Sequence, residues 1–237
     1  MPYIRKETIA GKTIEVEKYY TYKYKSKGTK RGEVVKPTSE QQQKINDALA
    51  EKNLRLKMNE NFGEGDLHII PGYRKEEKPN SRKEMRKDAD DLLKKLRKEY
   101  KKQGKELKYI HVMEIGSKGA MHHHLVINHI DTRIIQKCWK KGRIKVYPLD
   151  ETGQYSKLAA YFVKQTSKTK ELQSKRWSCS KNLIIPEPNI EIITHREWFR
   201  KVPKPQKGYY IDKESVYSGI SEFTGYGFLR YTMIKIS

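Results

Sequence analysis

The sequence predicts an α+β fold, a central antiparallel sheet with helices mainly on one face. Three observations predict it. Apolar residues at Met85, Ala89, Leu92, Leu93, Leu96 and Tyr100 repeat at i, i+4, i+7 and i+8, the rhythm of a long amphipathic helix. Two seven-residue runs, 109–115 and 121–127, flank Gly116-Ser117-Lys118-Gly119, which reads as a hairpin. From Asp66 onward the elements follow a β-α-β-β-α-β-α order, which favours helices packed on an antiparallel sheet.

The amino-terminal 36 residues carry ten Lys or Arg and four acids. Within them, Tyr19-Tyr20-Thr21-Tyr22-Lys23-Tyr24-Lys25 supports two readings. It is an arm that touches a nucleic-acid backbone and stacks on bases, or a short edge strand followed by a solvated arm. Ser39, with Gln42 three residues on, has capping-box spacing and opens a helix to about Asn61, which Phe62-Gly63-Glu64-Gly65 ends. Leu67-His68-Ile69-Ile70 is a strand stopped by Pro71-Gly72, and the long helix starts at Ser81. Its outward face bears Lys94, Lys95, Arg97, Lys98, Lys101 and Lys102, a solvated basic face. Asp131 caps a short helix reaching Trp139; a strand follows over 143–149, a helix over 154–168 and Tyr- and Gly-rich strands over 208–236. The expected division is a basic arm and helix (1–65), a central domain (66–170) and a carboxy-terminal extension packing on or extending it (171–237).

Charge points to the partner. Lys and Arg number 51 against 29 Asp and Glu, a net charge of +22, which calls for a polyanion, either nucleic acid or an anionic membrane. No apolar run approaches the roughly 20 residues of a spanning helix, and Met1 to Glu7 lack the apolar stretch of a secretory signal. Cys138 and Cys179 have no CxxC partner, which excludes a disulfide framework or thiolate zinc site and suits a reducing, cytoplasmic setting. Gly11-Lys12-Thr13 is not a nucleotide-binding loop, because Lys6 stands where the first glycine belongs.

On a strand, His122 and His124 share a face and His123 points to the other. Two imidazoles one pleat apart can chelate a divalent metal, and Glu114 is the natural third ligand. A three-residue loop, Ser117-Lys118-Gly119, pairs Gly116 with Ala120 and so Glu114 with His122; a four-residue loop turns Glu114 away. On the 154–168 helix, Tyr155, Leu158, Ala159 and Phe162 form the apolar stripe, and Tyr161 lies off it on a strip with Lys157, Lys164 and Lys168. A phenol with a pKa near 10 is a poor nucleophile at neutral pH. A cation such as Lys164 favours its phenolate, and a metal on a scissile phosphate stabilises the transition state. Attack leaves a phosphotyrosine and a free 3′ hydroxyl, with no need of ATP.

An acidic strand, a His-X-His strand and a Tyr-X-X-Lys helix, in that order, resemble the HUH endonucleases. The likeness is to the single-tyrosine replication initiators of small single-stranded DNA phages and rolling-circle elements, and it covers about 66–168. It comprises Leu67-His68-Ile69-Ile70, Glu114 with His122-His123-His124, and Tyr161-Phe162-Val163-Lys164. Trp177-Ser178-Cys179-Ser180-Lys181-Asn182-Leu183 and Gly208-Tyr209-Tyr210 also resemble replication proteins from elements of low-GC Gram-positive bacteria. The resemblance implies a ferredoxin/RRM-like HUH fold that nicks and rejoins single-stranded DNA at a replication origin, for example one held in a hairpin. It implies Tyr161 as nucleophile with Lys164 beside it, and His122, His124 and Glu114 as ligands of Mg²⁺ or Mn²⁺, imidazoles suiting Mn²⁺ better. Lys157, Lys168 and Lys118 are the candidate DNA contacts. The implied setting is a bacterial cytoplasm, on a phage or mobile element, with a host helicase and polymerase and no membrane partner.

The sequence departs from the family at His123, where an apolar residue is usual, and at Pro71-Gly72-Tyr73, where a threonine-containing strand is usual. No second tyrosine stands in the turn that holds Thr166. His123 is a further ligand candidate if its strand bulges. Alternative readings are an HUH transposase or relaxase and a non-catalytic nucleic-acid-binding domain, though the latter expects aromatics where His122 and His124 stand.

Overall fold

Ser81 begins the long helix as the spacing requires. Its hydroxyl accepts from the Glu84 amide at 3.2 Å, and the Glu84 carboxylate accepts from the Asn80 amide at 2.8 Å. In the computed structural model this helix, α2, spans Arg82–Lys102, and all six residues of the predicted stripe are buried. The structure describes residues 2–21, 24, 40–116, 119–168, 176–193, 203–221 and 225–236, the side chains of 41, 167 and 168 excepted. The chain divides into two compact units, 47–184 and 1–46 with 185–237.

The first unit holds a five-stranded antiparallel sheet of β3 (Leu67–Pro71), β4 (Tyr109–Ile115), β5 (Met121–Ile127), β6 (Ile144–Pro148) and β7 (Ser178–Cys179). Its order is β6-β3-β5-β4-β7. The remaining helices are α1 (Glu40–Asn61), α3 (Thr132–Cys138, capped by Asp131) and α4 (Ser156–Lys168). The α+β class and the antiparallel sheet are as the sequence predicts.

The placing of the helices differs from the expectation. One face of the sheet packs Leu67, Ile69, Leu125 and Ile127 on Leu92, Leu93, Leu96 and Tyr100 of α2 and Ile135 of α3. The other packs Ile110, Val112 and Val126 on Leu54 and Met58 of α1 and Ala159, Phe162 and Val163 of α4. Helices therefore cover both faces. The physical reason is that β4 and β5 carry apolar residues at successive positions, so neither face of the central pair can be left to water. Truncating a fully buried residue such as Leu96 or Phe162 to alanine costs about 2–5 kcal/mol.

The second unit is another five-stranded antiparallel sheet. A hairpin of β1 (Tyr3–Ala10) and β2 (Thr13–Tyr20) joins β8 (Asn189–Ile192), β9 (Tyr209–Ile220) and β10 (Gly227–Lys235) in the order β8-β1-β2-β10-β9. Gly11 turns the hairpin at φ 55°, a conformation side chains resist. Ile14, Val16, Leu229, Tyr231 and Met233 form the core of this unit. Residues 3–20 are thus a full hairpin rather than a short strand with an arm, and the carboxy-terminal strands complete its sheet. The expected contacts of Tyr22, Lys23 and Lys25 and the expected cap at Ser39 lie outside the described residues. No described helix is long and apolar enough to cross a membrane.

Candidate functional site

Gly116 donates its amide to the Ala120 carbonyl at 2.7 Å, and Gly119 adopts φ 71° at the left-handed position of the loop. That turn sets the register the sequence reading required, with Glu114 directly opposite His122. Along β5, His122 and His124 point to the α1 and α4 face together with Glu114. His68, from neighbouring β3, joins them, because it stands opposite Val126.

His124 and Tyr161 meet on one oxygen of Glu114. His124 Nε2 donates to Glu114 Oε2 at 2.6 Å, and the Tyr161 hydroxyl donates to the same oxygen at 2.8 Å. Behind His124, its Nδ1 lies 3.1 Å from His68 Nε2, and the two rings stack with centroids 5.4 Å apart. Burial, ahead of the neighbouring His124, lowers the His68 pKa to about 4. Burial also lowers that of His124, against the opposing pull of Glu114. Both imidazoles are therefore neutral at pH 7 with one ring hydrogen each. Since Glu114 only accepts, His124 carries its hydrogen on Nε2, and His68 donates to Nδ1.

Tyr161 is 38% exposed on α4, whereas Tyr155, Ala159 and Phe162 are buried, as the helical periodicity predicts. Its phenol is not activated in this arrangement. Burial, then the hydrogen bond and charge of Glu114, push its pKa up to about 12. The expected lowering by Lys164 does not occur; Lys164 and Lys157 are both exposed, and neither lines the pocket in front of the phenol. The cations that do are Arg74, Arg143 and Lys145, around an open space of about 490 Å³ shared with His122, His124, Glu114 and Tyr161. Lys118 and the side chain of Lys168 lie outside the described residues.

His123 is fully buried on the opposite face, in an unbulged register, and so does not join the site. It belongs to a polar chain. Ser178 Oγ is 3.3 Å from His111 Nδ1, His111 Nε2 is 3.0 Å from His123 Nδ1, and His123 Nε2 is 2.6 Å from the Tyr73 hydroxyl. Burial, ahead of the nearby Asp88, raises the Tyr73 pKa. Burial holds His111 well below the usual imidazole range and His123 at about 3. Both rings are neutral, so each passes one hydrogen along this chain, and Lys141 meets the nearby Asp88 at 3.1 Å.

Pro71-Gly72-Tyr73 takes a specific shape at this point. Gly72 forms a bridge with His122, Trp139 Nε1 donates to the Gly72 carbonyl at 2.9 Å, and Tyr73 turns under β5 to reach His123. The sequence reading missed His68, Arg74, Arg143 and Lys145. A signal existed for the last two: Arg143, Lys145 and Tyr147 alternate with Ile144 and Val146, which puts the basic residues on one face. Nothing in the sequence said that this face was the one with His124.

A divalent ion suits the donor types, two imidazoles and a carboxylate around one pocket. The ligand atoms of Glu114 and His124 are in contact with each other, and among the described residues no set of three His, Cys, Asp or Glu side chains is arranged to hold a metal. Residues 72–170 match the family model of the replication-associated protein ORF2/G2P. Comparison with curated proteins and with solved structures gave no match. The matched stretch carries Glu114, His122, His124 and Tyr161, so the likeness to replication-associated proteins falls on the segment that builds the site.

Proposed function

We propose that this chain initiates rolling-circle replication by nicking and rejoining single-stranded DNA, with Tyr161 as the nucleophile. The observation that carries the reading is the shared oxygen of Glu114, which ties the exposed phenol of α4 to His124 on β5 in a pocket lined by three cations. The match of residues 72–170 to replication-associated proteins supports the replicative role.

In the step proposed, Tyr161 Oη forms a bond to the phosphorus while the bond to the 3′ oxygen of the preceding nucleotide breaks. The phenolic proton passes to Glu114 Oε2, and the departing 3′ oxygen takes a proton from solvent. The products are a 5′-phosphotyrosine and a free 3′ hydroxyl, and the reverse attack rejoins the strand. Arg74, Arg143 and Lys145 bind the phosphate oxygens and neutralise charge as it builds on them. His122, His124 and Glu114 are the residues that would hold Mg²⁺ or Mn²⁺, which when bound would supply Lewis-acid stabilisation of the phosphate. His68 fixes the His124 ring through Nδ1.

A denaturing gel with an end-labelled oligonucleotide spanning the element's origin, with Mn²⁺, tests this reading. A retarded covalent band is expected. The same band from Tyr161→Phe, or full activity in excess chelator, would sink it.

A further inference from the structure

On the far side of β4 from Tyr161, the carboxy-terminal half of α2 and the segment after β7 enclose a second open pocket of about 620 Å³. Four cations line it, Arg97, Lys101, Lys105 and Lys181, against one carboxylate, Glu106. That carboxylate already accepts from Asn182 Nδ2 at 3.1 Å. Lys102 turns to Glu99 at 2.7 Å, whereas Lys101, Lys105 and Lys181 form no ion pair among the described residues. Four cations thus face a single carboxylate in one pocket, and among the described residues the three lysines carry no ion pair.

We propose that this pocket is a second nucleic-acid site, which grips the phosphodiester backbone of DNA away from the nicked nucleotide without reading bases. It rests on the nicking function proposed above. Three observations give it that character. The floor ring, Tyr109, is buried and occupied, with Arg97 Cζ 5.6 Å from its centroid and an Arg97 nitrogen 3.3 Å from its hydroxyl, so no base can stack on it. Lysine heads offer point charges, which hold phosphate without fixing sequence. Tyr109 and Glu114 stand at opposite ends of β4 and on opposite faces of the sheet, about 17 Å apart along the strand at ~3.4 Å per residue. One nucleotide cannot serve both places, so the pocket takes a different stretch of the strand, and it raises the residence of DNA while Tyr161 acts.

The test measures binding by fluorescence anisotropy across a salt series, on the full chain carrying Tyr161→Phe so that no cleavage intervenes. Two unrelated single-stranded 30-mers serve as probes. Lys101→Gln, Lys105→Gln and Lys181→Gln are combined; all three residues are exposed and replaceable without loss of core. The combined variant is expected to weaken both probes equally, about 100-fold at 0.1 M salt (roughly five-fold for each contact), and to lower the log–log salt slope by about 2. A matched variant with Lys83, Lys87 and Lys94, exposed on the same helix, changed to Gln is expected to retain the parent slope. An unchanged slope in the first variant, or an equal fall in both, overturns the proposal. Because no cleavage is involved, failure of the nicking assignment leaves this result readable.

Discussion

The Tyr161 hydroxyl and the Glu114 carboxylate share a hydrogen bond of 2.8 Å between α4 and the end of β4. The bond stabilises the phenol over the phenolate, and Glu114 raises the Tyr161 pKa both as acceptor and as a negative charge. Removing that charge lowers the pKa. In a spectrophotometric titration, read as a difference from Tyr161→Phe, this phenol is expected to ionise at lower pH in Glu114→Gln than in the parent chain. An unchanged midpoint would show that burial alone holds it. Tyr161→Phe itself is expected to abolish the covalent adduct while moving stability by no more than about 1 kcal/mol, since the lost bond is partly exposed.

Stability is expected to fall on acidification, beginning near pH 6.5 rather than in the carboxylate range. His111 and His123 are neutral and buried, with folded pKa values far below the 6.5 of an accessible imidazole. The sign follows from proton counts. Below 6.5 the unfolded chain binds protons that the folded chain refuses, so unfolding becomes easier as pH falls. Each histidine contributes a slope of roughly 1.4 kcal/mol per pH unit. Denaturant unfolding at pH 7 and pH 5 measures this, and equal stabilities would contradict the neutral assignment.

His123 and His124 are neighbours in sequence with separate jobs. His123→Ala strips the Tyr73 hydroxyl and His111 Nε2 of a partner inside the α2 face, and is expected to cost about 2–4 kcal/mol, read as a lowered midpoint of denaturation. Nicking per folded molecule should fall by less than about ten-fold. His124→Ala should do the opposite, with near-complete loss of Mn²⁺-dependent nicking at a smaller stability cost. The reverse ranking would place His123, not His124, in the chemistry.

Gly142 has no room for a side chain. A Cβ there overlaps the Gly72 carbonyl oxygen and comes within 2.9 Å of the Arg74 amide nitrogen, both backbone atoms. The neighbouring pairings, Gly72 amide to Arg143 carbonyl at 2.9 Å and Arg74 amide to Lys141 carbonyl at 2.8 Å, hold the two segments together. Gly142→Ala is expected to destabilise by about 1–3 kcal/mol and to displace Arg74 from the pocket, which a rise in the apparent Kd for oligonucleotide would register.

Much of the site was legible in the sequence because it rests on local periodicity. The period of two along 121–127 separates His122 and His124 from His123, the glycine loop fixes Glu114 opposite His122, and the helical period moves Tyr161 off the apolar stripe. What was not legible depends on which strands become neighbours. His68 meets His124, and Arg143 and Lys145 enter the pocket, only because β3 lies between β5 and β6, a pairing no local pattern encodes. The environment of the Tyr161 phenol was illegible for a related reason: Lys157 and Lys164 on the same helix strip are exposed, while burial of the phenol and then the Glu114 carboxylate across the sheet raise its pKa. Strands over 208–236 were legible, but their pairing with β1 and β2 in a second sheet was not, because those strands come from opposite ends of the chain.

That last arrangement governs the order of assembly during synthesis. Val16 of β2 waits for Tyr231 of β10. At roughly 5–20 residues per second, the delay is on the order of 10–40 s. Meanwhile every residue of the Tyr161 site has emerged, all of it within the compact unit 47–184. Until β10 arrives, the β2 edge offers unpaired amides and carbonyls to any passing strand. A chain interrupted after Ile184 therefore keeps Glu114, His124 and Tyr161 but carries an adhesive edge, so premature termination exposes the chain to aggregation before it removes the candidate site.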